Sequence, residues 1–272
     1  MQRLCDDPAA GSDVRRGDPV AARAARTGWN GQVRNGRAAA IVLAGGSGTR
    51  VGGELNKVYL PLAGRSVISW SLNTFGAMRE IGPVVLVIRA ADRDLVDRVV
   101  DQEVEHDGVE IVTGGASRQE SELAGLRHLA SRIGGGAVDA VLIHDGARPL
   151  MSRALAAGVL EAARSGGAVP GLPRDDLAAA APDGTTLDGP APEGIVAVQT
   201  PQGFRAAPLL AAYEEAARCG FVGTDTASCM QRFAPDLPIR WIAGDERNFK
   251  ITFAHDLLMA EVVLARAGHH LT

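Results

Sequence analysis

Short apolar runs alternate with longer helical patterns from Ala38 onward, and this alternation restricts the fold more than any other feature of the chain. The runs are apolar throughout, which is typical of strands buried on both faces. Such strands, separated by helices, predict an α/β fold with a mainly parallel sheet and right-handed crossovers. The predicted strands are Ala39–Leu43, Val84–Ile88, Glu110–Val112 and Val138–Ile143. The predicted helices between them are Ser66–Phe75, Asp92–Val100 and Ser117–Leu129.

Polar clusters follow three of the predicted strands, at residues 44–50, 113–118 and 144–148. Ligands of open parallel sheets bind beyond the carboxyl ends of the strands. The sequence therefore predicts one site built from these three clusters.

The rhythm changes at residues 171–200, where proline, glycine and aspartate form several turn signals around short segments. We interpret this stretch as a projecting β-arm and not as a second domain. The βα pattern then resumes and completes a domain at residues 37–268. The later predicted elements are the helices Pro208–Cys219, Asp225–Phe233 and His255–Ala267, and the strand Ile239–Ala243.

Composition argues against several classes of partner. A formal charge of -4 over 272 residues gives no reason to expect nucleic acid or a membrane surface. No apolar run approaches the ~20 residues that span a bilayer. Three cysteines without a CxxC spacing suit a reduced, cytoplasmic setting. Residues 1–36 have no apolar core of a signal peptide, so we expect a disordered extension or a mis-assigned start codon.

A glycine-rich turn after the first strand predicts a phosphate site. The turn contains Ala44, Gly45, Gly46 and Gly48. Glycines let backbone N–H groups approach a polyphosphate, and Arg50 and Lys57 add positive charge nearby. A Walker loop is excluded because no lysine follows at its spacing, and Val51 occupies the third glycine position of a dinucleotide fingerprint. A tight turn that needs glycine only for its geometry is the alternative.

The glycine turn, Arg50 and Lys57 together resemble the nucleotide-sugar pyrophosphorylase family. Within it, the chain is most similar to the 2-C-methyl-D-erythritol 4-phosphate cytidylyltransferases and the related ribitol-5-phosphate cytidylyltransferases. Further matching segments occur in the family's order, at residues 114–121, 144–149, 198–204, 223–228 and 248–252. The resemblance covers about Ala38 to Leu264 and implies a single Rossmann-like, three-layer domain whose arm is exchanged across a homodimer.

The resemblance also implies a pocket for the cytosine base. Gly115, Ala116 and Ser121 would line it, although the family often has an aspartate at the position of Ala116. From the residues alone, the same segment is a strand-to-helix turn with Ser117 as the N-cap, and both roles are compatible.

Asp145 and Arg148 form a second candidate group. An aspartate at the end of a buried strand is costly unless a cation or charged partner meets it. We therefore predict that Asp145 faces Mg²⁺ or the acceptor, and that Arg148 binds the acceptor phosphate. A structural aspartate–arginine pair closing the strand is the alternative, and His144 is expected to be a packed histidine.

The family's remaining motifs imply that Thr200 and Thr224 contact the acceptor and that Lys250 meets the α-phosphate. On the arm, Asp176 stands where methylerythritol enzymes usually have an acceptor-contacting threonine, and the arm's usual arginine falls near Pro192. Either Arg174 compensates, or the acceptor is not methylerythritol phosphate.

The implied activity is Mg²⁺-dependent transfer of CMP from CTP to 2-C-methyl-D-erythritol 4-phosphate, with Arg50, Lys57 and Lys250 as catalytic residues and no covalent intermediate. The alternative is transfer to ribitol 5-phosphate or another polyol phosphate. A sugar-1-phosphate or molybdopterin-type transferase sharing only the glycine loop is disfavoured by residues 144–149 and 199–202. A nucleotide-binding regulatory protein without turnover is disfavoured by the three cationic residues.

Overall fold

The computed structural model describes residues 37–46 and 56–267; Gly48, Arg50 and the extension 1–36 lie outside them. The strands are β1 Ala38–Leu43, β2 Pro61–Leu62, β3 Arg65–Ser66, β4 Ile81–Ile88, β5 Val109–Thr113, β6 Ala140–Asp145, β7 Gly167–Pro173, β8 Ala178–Ala180, β9 Leu187–Pro190, β10 Val196–Val198, β11 Gln202–Arg205 and β12 Ile239–Ala243. The helices are α1 Val67–Gly76, α2 Arg93–Glu103, α3 Arg118–Gly134, α4 Arg153–Ala163, α5 Ala206–Arg218, α6 Thr226–Phe233 and α7 Ala254–Ala267.

Eight of these strands form one mixed sheet. β5, β4, β1 and β6 lie side by side and parallel. β11 runs antiparallel between β6 and β7, while β7 also pairs with β10 and, in parallel, with β12. Leu43 lies beside Val87 on β4 and Asp145 on β6, so three parallel strands end level with one another.

Successive residues of β1 point to opposite faces of the sheet, and helices pack against each face. Ala40 and Val42 pack with apolar residues of α1, α2 and α4. Ala39 and Ile41 pack on the other face with α3, α5 and α6. A smaller cluster joins the β2–β3 hairpin to α7. The predicted three-layer α/β architecture is confirmed.

The predicted elements before residue 146 are all present, with ends shifted by up to five residues. Five elements had no predicted counterpart, namely β2, β3, α4, β7 and β11. β7 contains two prolines and two glycines, which are depleted in ordinary strands, and the sequence pattern therefore hid it.

The segment predicted as an arm leaves the sheet after Pro173 and rejoins it at Val196. Its middle is a two-stranded hairpin of β8 and β9, whose side chains are largely exposed. Its base therefore belongs to the main sheet, and the projecting part is shorter than residues 171–200. Within residues 37–46 and 56–267, no helix is long and apolar enough to cross a bilayer.

Candidate active site

A cavity of about 450 Å³ opens at the carboxyl ends of the parallel strands. It lies where the sequence predicts a ligand site, beside the loops that follow β1, β5 and β6. The predicted site residues in its lining are Gly45, Gly46, Lys57, Gly115, Ala116, Ser121, Asp145 and Lys250. Three separate sequence clusters therefore meet around one space.

The described part of the glycine turn consists of Ala44, Gly45 and Gly46. A side chain at Gly46 would meet no described atom within 4 Å, so packing does not explain the glycine. Ala44 differs, because its N–H donates to the Val87 carbonyl and its own carbonyl accepts from the buried Asn56 amide. Ala44 is buried and outside the cavity lining, so in the described structure it anchors the turn, and its nucleotide contact stays a prediction.

Lys57 begins a short 3₁₀ turn that is capped by the side chain of Asn56. Its side chain is buried and lines the cavity. Lys57 therefore places a cationic side chain at the wall of the cavity. Arg50, its predicted companion, lies outside the described residues.

The second wall is the loop between β5 and α3. Ser117 caps α3 by accepting the Glu120 N–H, and the Glu120 carboxylate accepts the N–H groups of Ala116 and Ser117. The Ser121 hydroxyl donates to the Ser117 carbonyl at 2.9 Å. A Cβ atom at Gly115 would lie 2.3 Å from the Glu120 Cβ, so this glycine is required by the close approach of the helix. The predicted N-cap is therefore correct, and the loop presents Gly115, Ala116 and Ser121 to the cavity.

Asp145 lies at the centre of a cationic cluster. Lys250 Nζ is 2.9 Å from Oδ2, Arg118 Nη2 is 3.2 Å from Oδ1, and Arg148 Nε is 3.9 Å from Oδ2. Burial raises the pKa of Asp145, but Arg118, Lys250 and Arg148 outweigh burial and hold that pKa well below its usual range. The carboxylate is therefore ionised and its charge is met within the protein.

Arg148 is turned away from the cavity. Its Nη1 donates to the Asn248 carbonyl at 2.6 Å, and its Nη2 lies 3.5 Å from the Val198 carbonyl. Arg148 is not among the residues that line the cavity, and its contact with an acceptor phosphate stays a prediction. Within the described chain, Arg148 instead connects β6 to the loop that carries Lys250.

Thr200 contacts the backbone of Asp145, and His144 contacts Thr200 in turn. The Asp145 N–H donates to Thr200 Oγ1 at 3.0 Å, and that hydroxyl also contacts His144 Nδ1 at 3.1 Å. His144 Nε2 lies near the Ser71 hydroxyl and the Arg148 carbonyl. Burial lowers the pKa of His144 to about 4, so the imidazole is neutral near pH 7. His144 is packed as predicted. Thr200 is also buried, and its hydroxyl accepts the Asp145 N–H and does not line the cavity.

The loop after β12 holds Lys250 in place through long-range contacts. The buried Asn248 amide donates to the Thr200 carbonyl at 2.8 Å, and the Ile251 N–H donates to the Ala147 carbonyl at 2.8 Å. These bonds connect the residues on both sides of Lys250 to Thr200, which precedes β11, and to Ala147, which follows β6.

Three further predicted acceptor contacts, besides Arg148 and Thr200, are outside the cavity lining of this chain. Arg174 and Asp176 form a bidentate ion pair with each other on the exposed arm. Thr224 is exposed on the loop before α6, and the neighbouring Asp225 caps that helix. Their predicted contacts with the acceptor therefore stay predictions.

Arg118 is the site residue to which sequence reasoning assigned no role. It lines the cavity and lies between the carboxylates of Asp145 and Glu122. One signal was present in the sequence, because an arginine at the first position of a helix is unfavourable beside the positive end of the helix dipole.

The described lining of the cavity offers one carboxylate, that of Asp145, to a metal ion. No group of three or more histidine, cysteine, aspartate or glutamate side chains suited to a metal occurs in the part of the chain that is described. Asp145 is the carboxylate among the described lining residues. One carboxylate together with substrate phosphates is a usual environment for Mg²⁺, so the site fits a cation shared with a nucleotide.

Comparisons with known proteins agree on one family. The family model described as IspD, 2-C-methyl-D-erythritol 4-phosphate cytidylyltransferase, matches residues 38–266. Proteins of that name from Thermobifida fusca and Shouchella clausii are 38% and 35% identical, covering 85% and 86% of this chain and 94% and 99% of the relatives.

Two solved structures agree with these sequence comparisons. The structure from Thermus thermophilus of the cytidylyltransferase with the same name is 32% identical, with a TM-score of 0.64 and coverage of 84% of this chain and 99% of that one. The 4-diphosphocytidyl-2C-methyl-D-erythritol synthase of Anaerococcus prevotii superimposes with a TM-score of 0.73 at 27% identity, covering 87% of this chain and 100% of that one.

Proposed function

The chain belongs to the 2-C-methyl-D-erythritol 4-phosphate cytidylyltransferase family, and we propose that it transfers CMP from CTP to 2-C-methyl-D-erythritol 4-phosphate. The products are pyrophosphate and the cytidine diphosphate derivative of the methylerythritol, an intermediate in isoprenoid precursor synthesis. The observation that carries the proposal is the cavity whose lining brings together Lys57, Arg118, Asp145 and Lys250.

The charge of this cavity suits a triphosphate. Three described lining side chains are cationic and one, Asp145, is anionic, so the described lining carries an excess of positive charge. The backbone of Gly45 and Gly46 borders the same space. Positive side chains and glycine backbone together are the usual means of holding a polyphosphate.

The proposed reaction is an in-line displacement. An oxygen of the acceptor phosphate attacks the α-phosphorus of CTP, and the bond to the β-phosphate oxygen breaks. No general base is required, because a phosphate dianion is already a nucleophile near neutral pH. Lys250 would stabilise the α-phosphoryl oxygens, while Lys57 and Arg50 would stabilise the departing pyrophosphate.

Asp145 would then have two tasks. It holds Lys250 at the cavity through the 2.9 Å ion pair, and it is the described carboxylate to which Mg²⁺ would bind together with the phosphates. The metal would neutralise charge on the triphosphate. Lys250 has to exchange part of its contact with Asp145 for the α-phosphate when CTP enters.

The acceptor contacts of Arg174, Asp176 and Thr224 remain proposals that depend on a homodimer. Exposed apolar side chains support such an assembly, since Leu258, Met259 and Val262 of α7 are 66%, 55% and 45% exposed. A cytoplasmic location is likewise our proposal and rests on the cysteine usage.

The deciding experiment measures Mg²⁺-dependent pyrophosphate release from CTP with 2-C-methyl-D-erythritol 4-phosphate and with ribitol 5-phosphate. Release with the first acceptor is expected, and the product should carry CMP. Release only with ribitol 5-phosphate would keep the transfer reaction and change the acceptor. CTP binding without release from any acceptor would contradict the proposed activity.

A further inference from the structure

Glu122 is a carboxylic acid buried in the helical layer next to the cavity, with an exposure of 1%. The Tyr213 hydroxyl on α5 donates to its Oε2 at 2.5 Å. The Thr226 hydroxyl on α6 donates to its Oε1 at 2.9 Å. Three helices therefore meet at one buried acid, which lies on α3 one turn after Arg118.

Stability alone does not account for an acid at this position. The surrounding layer is apolar and includes Leu123, Leu209 and Met230. Replacing a buried ionic group by a well-packed apolar side chain is often neutral or stabilising. Burial raises the pKa of Glu122, and Arg118 and the hydroxyl groups of Tyr213 and Thr226 offset only part of that rise. Donors surround the carboxyl group on every side that the structure describes, so Glu122 serves as an acceptor.

Arg118 links this acid to the active site. Its Nη2 is 3.3 Å from Glu122 Oε1 and 3.2 Å from Asp145 Oδ1, so one guanidinium nitrogen lies between two carboxylates. The buried Nε and Nη2 of Arg118 make no hydrogen bond to any described group. Arg118 is also one of the residues that line the cavity, so its side chain connects Glu122 with the ligand space.

We propose that Glu122 is a positioning residue for nucleotidyl transfer, which shares the Arg118 guanidinium with Asp145 and thereby weakens the hold of Arg118 on the carboxylate that pairs with Lys250. The inference deepens the proposed function and rests on it. Without the second carboxylate, the guanidinium would be attracted to Asp145 alone. Asp145 would then hold Lys250 and the metal less well, while the net positive charge near the triphosphate would increase.

Glu122→Gln tests this inference because glutamine keeps the shape and removes the charge. Turnover by the folded enzyme should fall on the order of tenfold, as for other supporting partners of an active-site group. The affinity for CTP, measured by calorimetry without acceptor, should rise by about threefold because a nearby negative charge is lost. A purely structural lesion would not produce tighter binding together with slower turnover.

Glu214→Gln is the matched control. Glu214 lies next to Tyr213 on α5 and forms an exposed ion pair with Arg127 of α3, so it joins the same two helices outside the site. Its replacement should leave turnover and CTP affinity unchanged.

Tyr213→Phe is a second comparison, since it keeps the Glu122 charge and removes one hydrogen bond. It should affect stability more than turnover.

A double-mutant cycle then asks whether Glu122 acts through Arg118. In an Arg118→Met background, Glu122→Gln should change CTP affinity and turnover less than twofold. Equal effects in both backgrounds would overturn the inference, as would unchanged or weaker CTP binding by Glu122→Gln.

If the wild-type protein binds CTP but releases no pyrophosphate, the proposed function fails and the CTP affinities still decide the role of Glu122. Absence of CTP binding by the wild type would overturn both.

Discussion

The two walls of the cavity are held in place by different kinds of contact. The wall formed by residues 114–121 is organised by hydrogen bonds between residues three or four positions apart, centred on Ser117 and Glu120. The wall that carries Asp145 and Lys250 is joined by contacts between residues 48 to 105 positions apart. The first wall can form as soon as its helix forms, whereas the second needs the complete sheet.

This difference has a physical consequence. A helix cap contributes about 1 kcal/mol and is largely independent of the remaining structure. The long-range wall shares several buried polar groups, so the loss of one leaves others unsatisfied. We therefore expect changes in the long-range wall to have larger effects than changes in the local wall, and four experiments test this order.

The largest effect is expected for Lys250→Ala. Loss of its charge should reduce kcat by about 10²–10³-fold, the range for one preorganised electrostatic group. The melting temperature should change little, because the Lys250 side chain is 41% exposed. Arg247→Ala is the control, since Arg247 pairs with Asp245 at the surface. Near-normal turnover by Lys250→Ala would contradict its catalytic assignment.

The pH dependence of stability tests the buried His144. Its pKa is about 4 in the folded protein and near 6.5 when unfolded, so the unfolded chain binds more protons between these values. Stability should therefore fall as the pH decreases from 6.5 to 4, by roughly 3 kcal/mol for this group. Urea unfolding of wild type and His144→Asn measures it. The variant should show a smaller slope over this interval, and equal slopes would disprove the assignment.

Asn248→Ala should have the next largest effect. It leaves the buried Thr200 carbonyl without its donor and loosens the loop that carries Lys250. We expect a loss of about 2 kcal/mol in the free energy of unfolding, measured by urea denaturation, together with slower turnover. Thr252→Ala removes only a local hydrogen bond to the Lys250 carbonyl and should cost much less. Comparable losses for the two variants would erase the distinction between local and long-range contacts.

The smallest effect is expected for Ser117→Ala, which removes the cap of the local wall. Stability should fall by about 1 kcal/mol, and the KM for CTP should rise because Ala116 and Gly115 border the cavity. Ser152→Ala is a closely matched control, since Ser152 caps α4 in the same way and is not part of the cavity lining. It should lower the melting temperature similarly and leave KM unchanged. An equal rise in KM for both variants would show that the local wall has no special role.

The success of sequence reasoning followed the same division. The parallel strands, the cap at Ser117 and the cavity at the strand ends were predicted from patterns that extend over a few residues. The hydrogen bonds of Arg148 and Thr200 were not predicted, because their partners lie 50 to 100 positions along the chain. β7 was missed because its prolines and glycines carry no ordinary strand signal.

The amino-acid sequence by itself determined the layered α/β architecture and the family, and it singled out Gly115, Asp145 and Lys250, which line the cavity. Apolar runs, helix caps and motif spacing act locally and can be read in order. Only the tertiary structure decided that Arg118 lies between Asp145 and Glu122, and that Arg148 turns away from the cavity. Those outcomes depend on which charges become neighbours after the helices pack on the sheet, and chain order does not encode such distances directly.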